Sequence, residues 1–506
     1  MHPDRDFDAR GNLVANEAAL TQDLGLDILV GVMAGSDPFL GEVARRALLS
    51  NPVDGVEGIV YRQDILKDCL AHPDVVRSLY AIAQEAIEGR KKHWFGVFSR
   101  YPGGILRDSV ELMQMFVGIL KKLRHVADDA SPHSSSKGLS TLFAMLQREL
   151  DDPYLSEVEG HLERLAFRSG VLVSAGLGAG NEGVDYVLHH VLGRKRGFWE
   201  RLFGPRDDGY TIHIAERDEA GAKALGELRD RGINLVANAV AQSTDHVHGF
   251  FDMLRTETAF YVGCLNLRDH LTALGAPTSI PRADPPTPHL MTGRNLYDPG
   301  LALSTGRRLV GNDVSAAARS LVVITGANQG GKSSFLRAIG LAQLMMQSGM
   351  FVAAEEFSSA VCPRIFTHFK REEDTQIQSG KLDEELRRMS AIADAITRDS
   401  LLLLNESFSA TNEREGSEIA RQVVSALLER GIRVAFVTHL HGFAREFHDQ
   451  RASEGVFLRA ERLADGTRTF RLVEGAPLET SFGADVYKEI FPGAYPAAAT
   501  PGPSIS

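Results

Sequence analysis

The sequence predicts two folds in series: a mainly α-helical region, then an α/β domain. Three observations predict this. Apolar residues recur at three- and four-residue spacing over residues 26–150. A proline-rich stretch, APTSIPRADPPTP at 276–288, then interrupts the chain and cannot continue a helix. Beyond it, short apolar runs alternate with helical patterns, the order expected of an α/β sheet.

Taken in order, 506 residues suggest about three or four domain-sized units. Residues 1–25 are polar and read as a flexible leader. Helices are expected over 38–49, 64–70, 73–87 and 105–126. The polar stretch DASPHSSSKG at 129–138 reads as a loop, with a helix following over 139–150. Residues 171–245 read as a short insert. It opens on a strand at 171–174 and continues through Gly176, Gly178, Gly180 and Gly183. The last three fit G-x-G-x-x-G, but no βαβ unit surrounds them, so they read as a turn. A strand at 210–215 and helices at 219–231 and 246–274 complete this half. The proline-rich stretch is the expected boundary between a helical domain, 26–285, and an α/β domain, 286–497. In the latter, strands are expected at 320–325, 400–404 and 433–438, and helices at 332–348, 383–397 and 415–430. Residues 498–506 read as a disordered tail.

Composition narrows the function. Cys69, Cys264 and Cys362 are far apart and form no CxxC, so neither a zinc site nor a disulfide framework is indicated. Reduced, buried thiols in a cytoplasmic protein are the expectation. The N-terminus is no secretory signal, and no run of 18 apolar residues exists, so no membrane partner is expected. A net charge of −11 argues against nucleic-acid binding by the whole surface and requires a local basic patch instead.

The chemistry concentrates after residue 320. Gly326-Ala327-Asn328-Gln329-Gly330-Gly331-Lys332-Ser333 matches G-x-x-x-x-G-K-[ST], and Ser334 follows. A β-branched run, Val322 to Ile324, enters the loop, and a helical pattern leaves it. Glycines let backbone N–H groups turn toward phosphates, and a helix N-terminus adds positive dipole. Lys332 supplies a point charge to the phosphates of ATP, and Ser333 a hydroxyl to Mg²⁺. The wholly apolar run Leu401 to Leu404 suits a central strand, at whose C-terminal end such sheets place ligands. Asn405 and Glu406 follow there, Glu406 placed to act as general base. His439, after the apolar run VAFV, is placed to sense the terminal phosphate. Asn405 stands where a metal-organising carboxylate is expected. It keeps an oxygen but not the charge, which predicts weaker Mg²⁺ binding and slow hydrolysis.

Together these residues resemble the MutS family of DNA mismatch repair ATPases. The family's T-G-P-N-M-G-G-K-S-T reads TGANQGGKSS here, from Thr325 to Ser334. Asn312-Asp313-Val314 resembles N-D-[IV], Ile365-Phe366-Thr367 matches I-F-T, with Asp374 after it, and Thr438-His439 matches the T-H switch. Tyr297-Asp298-Pro299 stands where an Arg-His-Pro element often occurs, SGKLDE at 379–384 resembles S-T-F-M-x-E in spacing, and Ser481-Phe482-Gly483 resembles S-Y-G. Arg45 to Pro52 and Ile59 to Gln63 resemble, more weakly, the start of the family's helical core and lever region. The likeness covers residues 26–492 and is strongest over 290–485. It implies an ABC-like α/β P-loop ATPase domain preceded by a mainly α-helical core and lever domain.

The departures are specific. Residues 1–40 hold no Phe-x-Glu wedge of the family's mismatch-binding domain, and Phe198-Trp199-Glu200 has that spacing in the wrong place. The long clamp is reduced to the insert. Where the family has I-G-R-G-T-S-T-x-D-G after the acidic pair, this chain reads SFSATNEREG, losing the first two glycines. In the family this loop reaches the other subunit's nucleotide. Ser409, Thr411 and Asn412 are the candidates for that role here. The resemblance implies a homodimer with ATP at its interface and double-stranded or branched DNA as partner. Two basic clusters with neighbouring aromatics are candidates for contacting nucleic acid: Arg90, Lys91 and Lys92, and Arg194, Lys195 and Arg196. The rival readings are a nucleotide-gated DNA- or RNA-binding scaffold with negligible hydrolysis, and an ABC-type or RecA-type motor. The motif Leu-Ser-Gly-Gly-Gln of the ABC type is absent.

Overall fold

The apolar runs of the C-terminal half pair as one sheet. In this computed structural model, which describes residues 2–50, 55–94, 101–167, 170–189, 218–371, 380–463 and 467–478, that sheet has six strands. They are Leu321–Thr325 (β6), Ile365–Phe369 (β8), Leu401–Asn405 (β9), Arg433–Val437 (β10), Gly455–Arg462 (β11) and Arg468–Glu474 (β12). Their order is β12-β11-β6-β10-β9-β8, and only β12 runs antiparallel to its neighbour. Strands β6, β8 and β10 are buried along their whole length, as both-sided cover requires. On one face pack Lys381–Ala395 (α12), Glu413–Glu429 (α13) and His441–Arg451 (α14), which bring Met389, Ala420, Val424, Phe443 and Phe447 into one core with Leu402, Leu404, Val434 and Phe436.

Helix α11, Lys332–Gln347, leaves the loop after β6 and is buried on nearly all sides. A Cβ on its Gly340 would lie 2.5 Å from Leu403 of the sheet and 2.9 Å from Leu24. Leu24 belongs to Glu17–Leu24 (α1), so the expected flexible leader is corrected over these residues. The reason is apolar burial: Leu20 and Leu24 are shielded, Asn16 donates to the carbonyl of Ile365 (2.8 Å), and Asp23 takes an ion pair from Arg371 (2.8 Å). Leu26–Ala34 (α2), Pro38–Leu49 (α3) and Gly55–Ala71 (α4) continue this cover. Ser348, capping α11, donates to Ala47 of α3 (3.0 Å), and buried Arg62 of α4 donates to the Ser348 carbonyl (3.2 Å).

A second sheet, β3-β7-β4-β5, comprises Arg282–Asp284 (β3), Met291–Leu296 (β4), Asn312–Ser315 (β5) and Glu356–Ala360 (β7). Here the proline-rich stretch is not the expected boundary. Its three non-proline residues 282–284 form an edge strand beside β7, where flanking prolines cost no ladder bond. The side-chain amide of Gln63 donates to Pro281 (2.9 Å). Pro299–Thr305 (α10) is capped by Asp298, which accepts from Leu301 N (3.0 Å). The other Asp298 oxygen takes both Nε (2.8 Å) and Nη2 (2.6 Å) of Arg337 on α11. At the N-terminal ends of β6 and β9, His289 Nε2 donates to Asp399 (2.9 Å), so its Nδ1 accepts from the Ser320 hydroxyl (2.7 Å).

All these elements belong to one compact unit, Met1–Pro73 with Ser136–Gly138 and Ala259–Ser506. The expected division at residue 285 therefore differs from the packing, which groups the N-terminal helices with the α/β elements.

Among its described residues, the second unit, Asp74–Ser135 with Leu139–Thr258, is helical apart from one hairpin. Pro73–Trp94 (α5) and Pro102–Ala130 (α6) are followed by Lys137–Glu149 (α7) and Asp152–Leu165 (α8). The expected loop at 129–138 is short: α6 reaches Ala130 and α7 starts at Lys137. Arg124 caps α7 by donating to the carbonyls of Gln147 (2.9 Å) and Leu150 (3.0 Å). Leu172–Leu177 (β1) and Gly183–His189 (β2) pair antiparallel, and the glycine-rich stretch is the turn between them. Glu219–Ala273 (α9) is one 55-residue helix where two were expected. No proline lies between 231 and 246, and Thr244 bonds back to Val240 (2.8 Å) inside the helix. The strand expected at 210–215 lies outside the described residues. No helix among the described residues is long and apolar enough to cross a membrane.

Asp298 is buried and holds a helix cap and an arginine at once. Asp298→Ala is expected to cost about 2–4 kcal/mol in a urea unfolding titration, because the cap is lost and Arg337 is left unpaired.

Candidate phosphate-loop site

The loop between β6 and α11 takes its shape from a close approach. Gly326 (φ 109°), Gln329 (φ 59°) and Gly331 (φ 85°) all have positive φ. A Cβ on Gly326 would sit 2.8 Å from the Ala460 backbone nitrogen, and one on Gly330 2.7 Å from the Ala460 Cβ. Strand β11 thus presses on the loop so closely that only glycine fits at these two positions. Gly331 then opens α11, aiming its first N–H groups at the concavity. Lys332 is buried there and donates to the carbonyls of Gly326 (2.9 Å) and Ala327 (2.8 Å). Burial pushes its ammonium pKa down to about 8; the charge of Glu406 opposes this and that of Arg468 adds to it.

Strand β9 delivers the second group. The Ser333 hydroxyl donates to Oδ1 of Asn405 (3.0 Å), so the expected metal-side oxygens lie side by side. Glu406 follows with φ 54°, its backbone N–H bonded to Val437 of β10 (2.8 Å). His439 Nε2 lies 3.2 Å from Glu406 Oε1, an ion-pair distance, although neither ring nitrogen has an aligned hydrogen-bond partner among the described residues. The His439 contact is the largest influence on the Glu406 carboxyl and holds it below the ordinary range, against the opposing effect of burial. A base that stays ionised at neutral pH follows.

Lys332, Ser333 and Glu406 border a cavity of about 490 Å³, whose walls also include Tyr297, Arg308, Val310, Ser334 and Phe470. Phe470 is half exposed and has φ 60°, an outlier for an aromatic residue. Asn312 holds it there: its Nδ2 donates to the Phe470 carbonyl (3.1 Å), and its Oδ1 accepts from Leu472 N (2.6 Å). An exposed aromatic face braced into this wall can stack a flat base.

The residues fit a nucleotide's phosphates: a glycine cradle, a helix N-terminus and a buried ammonium that meets only carbonyl oxygens converge there. They fit a divalent ion less completely. Ser333 and Asn405 offer neutral oxygens, and no cluster of three or more His, Cys, Asp or Glu suited to a metal occurs among the described residues. Phosphate oxygens would have to supply the rest.

The loop after Glu406 is anchored rather than loose. Phe408, in place of a glycine of the resembled motif, has φ 65° and a fully buried ring stacked 5.8 Å from His368. Backbone strain of about 1–3 kcal/mol is offset by ring burial of about 1.5–3 kcal/mol. His368 itself is pushed by burial down to about 4 and is therefore neutral. Its Nε2 faces the Glu385 carbonyl (3.1 Å) and its Nδ1 the Ser407 hydroxyl (2.7 Å). Asn412 caps α13 by accepting from Glu415 N (3.0 Å), and Thr411 donates to the Glu415 carboxylate (2.6 Å). The Ser409 hydroxyl is buried without a hydrogen-bond partner among the described residues.

The structure therefore brings Gly326 to Ser334, Asn405, Glu406 and His439 together at the C-terminal ends of β6, β9 and β10. Arg90, expected at a nucleic-acid surface, is instead largely shielded and paired with Asp245 (2.8 Å) across α5 and α9. Lys91 and Lys92 are exposed beside it, while Arg194, Lys195 and Arg196 lie outside the described residues, as do Asp374 and Ser481 to Gly483. Sequence reasoning missed Phe470 and Arg468 on β12. An alternation of apolar residues on either side of an Asp465-Gly466 pair was the available hairpin signal.

Comparison with known proteins agrees with this picture. Two family models match: the MutS2 N-terminal domain over residues 54–274 and MutS domain V over 322–494. Endonuclease MutS2 of Thermus thermophilus is 33% identical over 157 residues, 31% of this chain and 21% of that protein. DNA mismatch repair protein MutS of Thermotoga petrophila is 34% identical over 171 residues, 34% of this chain and 21% of that protein. The protein of the same name from Natronomonas pharaonis is 27% identical over 284 residues, 55% of this chain and 32% of that protein. The matched part of the chain spans about a fifth of the first two relatives and about a third of the last.

The Lys332 ammonium gives a pH test. With a pKa of about 8, it is partly neutral between pH 8 and its ordinary 10.5. A bound polyphosphate favours the charged form, so binding at pH 8.5 is expected to take up a proton, and affinity to fall as pH rises above 8. Calorimetric titration in two buffers of different ionisation enthalpy reads this directly. At pH 6.5 this group is already charged and contributes no uptake.

Proposed function

Because the chain belongs to the MutS family, we propose that it is a DNA-binding ATPase that works as a homodimer. In this reading ATP binds at the dimer interface, and its slow hydrolysis is coupled to clamping mismatched or branched DNA in repair or recombination. The observation that carries the reading is the convergence of Lys332, Ser333, Asn405, Glu406 and His439 at the C-terminal ends of β6, β9 and β10. Lys332 and the loop N–H groups hold the phosphates. Glu406, ionised and beside His439, takes the proton of an attacking water. Ser333 and Asn405 orient Mg²⁺, which when bound would neutralise charge on the phosphates. Ser409, Thr411 and Asn412 stand on the loop that would face the other subunit, and the Ser409 hydroxyl has no hydrogen-bond partner among the described residues.

One observation favours a second reading. Asn405 puts no charge next to Ser333, which suits a nucleotide-gated DNA- or RNA-binding scaffold with negligible turnover.

Steady-state hydrolysis, with and without branched DNA, decides between them, with Lys332→Ala and Glu406→Ala as blanks. Turnover above both blanks that rises with DNA is expected. Asn405→Asp is expected to tighten Mg²⁺ binding and raise turnover about 10- to 100-fold. ATP binding with turnover equal to that of Glu406→Ala would leave the scaffold reading standing and remove the hydrolysis.

A further inference from the structure

Strand β12 reaches the phosphate loop with a second cation. Arg468, the first residue of β12, donates from Nη1 to Oε1 of Gln329 at 2.5 Å. Gln329 is one of the loop residues with positive φ, and it lines the cavity beside Asn328 and Gly330. The pairing of β12 with β11 explains the approach. Arg462 faces Arg468 and Ala460 faces Leu472, so three residues of β12 stand against one of β11. This bulge takes residues 469–471 out of the ladder next to Arg468, the usual way such irregularities re-aim side chains near a site. The same segment carries Phe470, which lines the cavity.

The charges around Arg468 are unbalanced. Among the described residues no carboxylate lies within ion-pair distance of its guanidinium, and its hydrogen-bond partner is a neutral amide. It also stands near enough to Lys332 for the two cations to repel each other. Beside Ser333, Asn405 contributes no charge. Two cations held together over a glycine cradle are relieved by a polyanion, and more by one with a further phosphate.

We propose that Arg468 is a phosphate-binding residue supplied by the same chain, which leaves Gln329 for the terminal phosphate of a nucleoside triphosphate and so sets the preference for triphosphate over diphosphate. The proposal rests on the nucleotide reading of the cavity and deepens it. Gln329 is then the resting partner, holding the guanidinium at the mouth of the loop until the phosphates arrive.

The test is equilibrium binding of fluorescent ATP and ADP analogues to the full chain and its variants, with thermal melts of the nucleotide-free proteins as a fold check. Arg468→Gln is expected to weaken the ATP analogue by about 10- to 100-fold and the ADP analogue by less than about threefold. Arg468→Lys restores part of the difference. Gln329→Leu, which removes the side-chain amide of a residue on the cavity wall, is expected to affect both analogues alike and so to keep or increase the ATP preference. Equal losses for both analogues in Arg468→Gln, no loss at all, or a Gln329→Leu variant that behaves like Arg468→Gln would each overturn the proposal; the last would make the contact a structural tie. Wild type that binds neither analogue, or that binds no better than Lys332→Ala, would overturn the nucleotide reading itself and the role of Arg468 with it.

Discussion

The helix that carries the phosphate loop has no solvent face. From Lys332 to Gln347 nearly every residue of α11 is buried, with the large sheet on one side and α1 on the other. A helix enclosed in this way cannot slide or roll without opening a core. Its N-terminus is therefore a fixed point, and the rest of the site is arranged about it. Strand β6 ends where the loop must start, β11 closes on the loop at Ala460, and Asp298 clamps α10 to Arg337 on the helix itself. The N-terminal helices matter for the same reason: they supply the second wall, and this explains why they pack with the α/β elements.

Around that fixed point the electrostatics are tilted toward an anion. Lys332 sits on carbonyl oxygens, Arg468 on an amide, and the position beside Ser333 is a neutral asparagine. Glu406 is the ionised acid beside these groups, and its contact with His439 is the largest influence that keeps it so. The site is thus better equipped to hold phosphates than to hold a metal by itself.

Much of this was legible in the sequence, and what was not has a common cause. The strands around the loop are short apolar runs bounded by turn residues, and the loop's glycines, lysine and serine are contiguous, so local pattern sufficed for β6, β9, β10 and α11. Glu406 and His439 were found because each follows directly on such a run. Phe470 and Arg468 were not, because their place depends on β12 folding back on β11 and bulging there. Asn312 was noticed as part of a motif, but its role is to brace Phe470, 158 residues away in sequence. Prolines around 282–284 hid an edge strand. The polar first residues hid the fact that Leu20 and Leu24 belong to the core. Residues 232–245 carry weak helical patterning, so one helix read as two.

Phe408 ties the loop beyond Glu406 to the interior in a way a glycine would not. A glycine there would let the backbone visit other conformations without disturbing anything else. With a buried ring at that position, residues 407–412 cannot swing outward unless the ring leaves its place beside His368. The mobility of this loop is then not the nanosecond flicker of a surface turn but belongs to the slower openings in which part of a core comes undone. Its backbone amides inherit the protection of the sheet beneath them, and the timing of whatever the loop does is set by the stability of the core.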